Sequence, residues 1–146
     1  MIDVLKFLAV ITASLFAGAA LYINVAEHPA RMPLETRHAA LQWATSYKRA
    51  TWLQAPLAVT SFLAGVAVWV KGSGGPWLVA AVLIGAVVPF TFIGIMPTNH
   101  RLLSSSLDLN SDEARGLLVH WGYLHAVRTL LSVCAAALYS WLIVWA

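Results

Sequence analysis

Four long apolar runs, at residues 7–25, 52–70, 77–96 and 124–146, constrain this chain more than any motif within it. At ~1.5 Å rise per residue, helices of that length match the ~30 Å hydrocarbon core of a bilayer. Lipid offers no partner to a free N–H or C=O, and the runs lack the period-two alternation of a membrane β-barrel, so helices are the expected form. With 60% hydrophobic and 10% charged residues, the chain also lacks the polar groups to cover a soluble surface. The expectation is an all-α, integral membrane four-helix bundle forming a single domain over 1–146, with spans near 4–27, 51–70, 77–97 and 120–145.

The first run exceeds the h-region of a signal peptide and is followed by Asn24-Val25-Ala26-Glu27-His28, a poor cleavage site, so a retained helix is expected. The single cysteine, Cys134, lies in the fourth run and is expected to be inert packing. The connections are unequal. Lys71-Gly72-Ser73-Gly74-Gly75-Pro76 is a tight turn joining spans two and three as a hairpin. On the other side, residues 33–50 place Leu34, Leu41, Trp43 and Tyr47 among Glu35, Arg37, His38, Lys48 and Arg49. This composition suits an interfacial helical connection, or an extension of span two, with Trp43, Tyr47 and Trp52 at headgroup depth. Residues 99–110 are loop-like, and Ser111-Asp112-Glu113 resembles a helix N-terminus. Arg31, Arg37, Lys48, Arg49, Arg101 and Arg115 gather on the long-loop side, which by the positive-inside rule is cytoplasmic, with both termini outside.

Polar residues at membrane depth mark the candidate site. Asn24, Glu27, His28 and Arg31 share one stripe if the helix continues through Pro29. Pro89 and Pro97 kink or end span three around Thr98, Asn99 and His100. Trp121, His125 and Arg128 align at i, i+4 and i+7. Arg128 lies about one turn inside the membrane, where an unpaired cation costs at least ~2.5 kcal/mol, and Glu27 is the expected partner. Spans one, three and four are expected to share one polar pocket at the long-loop face, with Tyr47, Thr51 and Gln54 as a fourth wall.

Glu27-His28-Pro29-Ala30-Arg31, then Trp43, Tyr47 and Arg49, then Pro97-Thr98-Asn99-His100-Arg101-Leu102, and finally Trp121-Gly122-Tyr123-Leu124-His125-Ala126-Val127-Arg128 carry a resemblance over essentially the whole chain. The sequence resembles the anthrone oxygenase-like membrane family, DUF1772. The resemblance implies a four-helix membrane bundle, and fungal members are associated with oxidation of anthrones to anthraquinones. Those fungal proteins usually have Asn where this chain has His125. Many bacterial relatives have no known role, and a bacterial inner (plasma) membrane is the expected location.

Three functional classes follow. In the first, an oxygenase, a carbon acid gives up a proton and its carbanion passes an electron to O2. His125 is the candidate base, Arg128 and Asn99 hold the enolate-like oxygen with Glu27 and His28 beside them, and Trp43, Tyr47, Trp121, Arg31 and Thr98 bind a planar, small hydrophobic substrate. No cofactor is then required. In the second class a metal or haem is bound, with His28, His100 and His125 as ligands gathered across helices, since His120 and His125 fall about 140° apart on one helix. The third is a non-catalytic membrane subunit, in which Ala17, Gly18, Tyr22 and Ala135-Ala136-Ala137 pack helices within the chain or in a homo-oligomer. The lipid bilayer is an expected partner and nucleic acid is not: a net charge of +3 without a basic run is no phosphate-tracking surface.

Overall fold

All four apolar runs are helical, and each helix outruns the length its apolar stretch requires. The computed structural model describes residues 1–145; Ala146, the last residue of the fourth run, lies outside them. The helices are α1 (Ile2–Arg31), α2 (Thr36–Ser73), α3 (Gly75–Leu102) and α4 (Asp112–Val144), and there is no strand among the described residues. The chain is an all-α integral membrane protein. At ~1.5 Å per residue α2 is about 57 Å long, nearly twice the hydrocarbon core. The connection over 33–50 is thus the continuation of the second span rather than a separate helix lying in the interface. Trp43 is fully buried in that continuation.

Prolines bend these helices without ending them. A proline ring collides with the carbonyl four residues back. For Pro29 and Pro97 those carbonyls belong to Val25 and Ile93, which lie in the π-helical turns Ile23–Glu27 and Thr91–Ile95. The wider turn absorbs the clash, and such turns recur at functional sites. Pro89 acts on the break at Ala86, between the segments Gly75–Gly85 and Val87–Phe90. The α2–α3 hairpin turns on Gly72 and Gly74, whose φ of 89° and 96° are closed to most side chains.

Close packing away from the long loops depends on small residues, as expected where lipid gives helices no hydrophobic reason to associate. Ala9, Ala13, Ala64, Ala80, Ala81 and Ala135 let the backbones approach. Ser61 Oγ donates to the Ala9 carbonyl at 2.9 Å, and Tyr139 Oη donates to the Ser61 carbonyl at 3.3 Å. Tyr139 lies against Gly65, where a Cβ would stand 1.8 Å from Oη. Ala17 and Ala135 pack inward, whereas Gly18 and Tyr22 face outward. Cys134, expected to pack, is exposed on the outer face of α4.

At the other end, a second core of Trp43, Ile95, Leu102, Leu118 and Trp121 is tied down by polar clamps. Arg115 Nη1 and Nη2 donate to the carbonyls of Met32 and Leu34 at 2.7 and 2.6 Å, closing the α1–α2 turn. Arg101 makes a two-pronged pair with Glu113, at 2.6 and 2.9 Å, across the α3–α4 loop. Ser111 caps α4 by accepting from the Ala114 N–H at 3.1 Å. Arg101 and Arg115, counted above as topology signals, thus hold the architecture together as well.

Gly65→Ala is expected to lower the thermal unfolding midpoint in detergent, since overpacking costs on the order of 1–3 kcal/mol. Gly18→Ala, in open space, should leave it unchanged; equal midpoints for the two variants would refute the close approach of Tyr139.

Candidate functional site

The site is assembled where α1, α2 and α4 converge below the long-loop end. Its centre is His125, 1% exposed in a helix at membrane depth. Asn24, from the π-turn of α1, reaches across to α4: its Nδ2 donates to the Gly122 carbonyl at 3.2 Å, which turns its oxygen toward His125. Nδ1 of His125 lies 2.7 Å from that oxygen, and Thr129 Oγ1 lies 2.5 Å from it. A carboxamide oxygen only accepts, so His125 donates from Nδ1, and in the neutral ring the lone pair resides on Nε2. Trp121 stacks on the imidazole, with centroids 4.8 Å apart. Trp43 meets Trp121 edge-on at 5.9 Å and lies parallel to Tyr47 at 5.2 Å, an aromatic ladder that holds the histidine from behind.

Two guanidinium groups accompany His125. Arg31, 2% exposed, pairs with Glu27 at 2.5 Å, and Glu27 also accepts from Ser46 and, at 3.3 Å, from Gln42. Arg128 takes a different partner from the one expected. Its Nη2 donates to Gln54 Oε1 at 3.0 Å and its guanidinium carbon lies 5.4 Å from the centre of the Phe16 ring. Glu27 is engaged with Arg31 and, through Gln42 and Ser46, with α2, while Asn24 and His28 face α4 and the Arg31 guanidinium lies 5.8 Å from the centre of the Trp121 ring. Among the described residues Arg128 has no carboxylate within ion-pair distance.

Arg31, Ser46, Tyr47, Gln54, Trp121, His125 and Arg128 line a small chamber of about 10 Å³, room for about one water. Through Tyr47, Thr51 and Arg128 it adjoins a cleft of about 110 Å³ between α2 and α3, walled by Ala55, Ala58, Val87, Val88, Phe92 and Met96. The buried polar atoms left without a protein partner on chamber residues are all donors: Nε and Nη1 of Arg31, Nε of Arg128, Nε2 of Gln54 and Nε1 of Trp121. Such a set is complemented by a ligand bearing oxygen acceptors or a negative charge.

The remaining expected residues lie elsewhere. His28 packs on Trp121 at 5.3 Å and lines an open groove between α1 and α4 with Asn24 and Tyr123. Gly122 makes room for it, since a Cβ there would stand 2.6 Å from His28 Nε2. Thr98 and Asn99 are buried in α3 but line neither void, and both amide atoms of Asn99 lack a partner. His100 is exposed, so His28, His100 and His125 are not gathered as ligands. Among the described residues no three His, Cys, Asp or Glu stand together to hold a metal ion. Span three contributes Thr91 and Met96 instead. Asn24 carries the one signal sequence reasoning underused, an amide inside an apolar run. Phe16, Ala55 and Ala58 carry none, because an alanine lining a cleft reads like one in a core.

A sequence profile of the anthrone oxygenase family matches residues 43–138. The anthrone oxygenase tpcL of Aspergillus fumigatus is 33% identical over 140 residues, covering 89% of this chain and 87% of its own. The anthrone oxygenase gedH of Aspergillus terreus is 30% identical over 82% of this chain and 85% of its own, and a noranthrone monooxygenase of Aspergillus flavus is 26% identical over 91% and 70%. These relatives are fungal and lend no support to a bacterial inner membrane. No solved structure matches the chain.

From the pairing pattern, stability losses from Glu27→Gln and Arg128→Gln should add to within ~0.5 kcal/mol, while those from Glu27→Gln and Arg31→Gln should not. Double-mutant cycles on thermal unfolding read this directly; strong coupling of Glu27 to Arg128 would refute the separate pairs.

Proposed function

The chain belongs to the anthrone oxygenase family, and on that premise we propose that it oxidises an anthrone-like phenolic carbon acid with O2 in the membrane. The observation that carries the reading is the chamber's chemistry: one imidazole nitrogen free to accept a proton, surrounded by N–H donors that lack acceptors.

In this reading the planar substrate enters sideways from lipid through the α2–α3 cleft and presents its polar edge to the chamber. His125 Nε2 takes a proton from the methylene carbon, and Nδ1–H stays on the Asn24 oxygen, which favours the imidazolium that forms. Arg128 and Arg31 hold the enolate oxygen, where charge develops. The carbanion transfers an electron to O2, and recombination forms a C–O bond as a hydroperoxide. Loss of water then leaves the quinone, so that one anthrone and one O2 give one anthraquinone and one H2O. Trp121 shields the imidazole from water and keeps its ring plane fixed. The Lys and Arg distribution supports the long-loop end, and with it the site, facing the cytoplasm.

Oxygen-electrode traces with detergent-purified protein and a panel of anthrones should show one O2 consumed per quinone formed. His125→Ala should lower kcat by about 10²–10⁴-fold, the usual worth of a general base, without loss of folding. His125→Asn with full activity would remove the base assignment and leave the oxygenase reading standing. No O2 uptake by the wild type with any anthrone would remove both. Asn24→Ala should depress kcat more than KM and shift the pH profile, because the histidine loses its tautomer-fixing partner.

A further inference from the structure

The cleft between α2 and α3 runs from an exposed, apolar outer edge to a charged inner end. Ala55 and Phe92 are exposed at its outer edge, so it opens sideways toward lipid. Its walls are apolar apart from Thr51 and Thr91 along the ten residues from Val87 to Met96, a path of about 13 Å along α3. At its inner end stands Arg128, whose guanidinium meets only the neutral Gln54 and the Phe16 ring, while Arg31 nearby already has Glu27. A narrow, mostly apolar cleft that ends on a half-buried cation without a counter-charge is complementary to an amphiphile with one anionic head and one chain.

We propose that this cleft binds a single-chain fatty carboxylate from the bilayer, its carboxylate on Arg128 and its alkyl chain between α2 and α3. A carboxylate matches the planar fork of a guanidinium and is small enough to reach it. A phospholipid headgroup would have to be drawn, with its glycerol and second chain, about one turn into the hydrocarbon to make the same contact. The ligand supplies the counter-charge that Arg128 lacks, and it occupies the path by which a lipid-borne substrate would arrive. It is therefore a competitor of substrate. The inference shares Arg128 with the proposed reaction but does not rest on turnover.

The test is a titration of radiolabelled oleate onto the full chain in phosphatidylcholine nanodiscs, without substrate. Saturable binding near one oleate per chain is expected, displaced by unlabelled oleate and not by methyl oleate. Arg128→Gln should weaken it about tenfold or more through loss of the charge-assisted contact. Ala55→Trp, at an exposed position that leaves Arg128 in place, should block the cleft and abolish binding, which keeps the test decisive if Arg128→Gln fails to fold. Three results would overturn the proposal: non-saturable uptake, equal competition by methyl oleate, or displacement by phosphatidate as effective as by oleate. Because binding is read without O2 or anthrone, failure here leaves the oxygenase reading intact, and a failed oxygenase assay leaves this proposal intact.

Discussion

A bilayer supplies no partner to a buried polar group, and the organisation of this protein follows from how its helices meet that constraint. Two arginines, an imidazole and several amides sit inside the bundle, where an unpaired cation costs at least ~2.5 kcal/mol. Arg31 is neutralised by Glu27 and the amide of Asn24 is used at both ends. Arg128 is left with a neutral acceptor and an aromatic face. The unpartnered donors of Arg31, Gln54, Trp121 and Arg128 meet at one chamber.

The prolines make this arrangement reachable. A straight α1 would keep Asn24, Glu27, His28 and Arg31 in one stripe toward a single neighbour. The π-turn ahead of Pro29 instead serves two, with Asn24, His28 and Arg31 against α4 and Glu27 against α2. The matching π-turn ahead of Pro97 carries α3 on to Leu102 as one helix, so that Thr91 and Met96 face the cleft while Asn99 turns into the core. Meanwhile the opposite end is packed through Ala, Gly65 and Tyr139 at close backbone separation. Close packing there and the polar, π-turned helices at the other end divide the bundle into two unlike halves.

Four spans, the glycine hairpin, the cap at Ser111 and the placing of His125 and Arg128 together on α4 were legible from residue order alone. Apolar run length, turn chemistry and the cost of charge in lipid are local properties, and they act before any tertiary contact exists. Partner choice was not legible in the same way. Glu27 looked like the natural counter-ion of Arg128, yet it pairs one turn along its own helix, because the bend at Pro29 decides which neighbour each side chain meets. Trp43 reads as an interfacial aromatic and is a buried strut, because α2 continues past the membrane length and α4 covers it. The histidine trio, Asn99 and the cleft alanines depended on helix rotation and on the gaps between helices, quantities set only when all four surfaces pack together. The sequence by itself therefore determined that polar chemistry lies at one end of a membrane bundle. Tertiary structure alone decided which groups pair, which cation remains without a counter-charge, and that an apolar cleft leads to it.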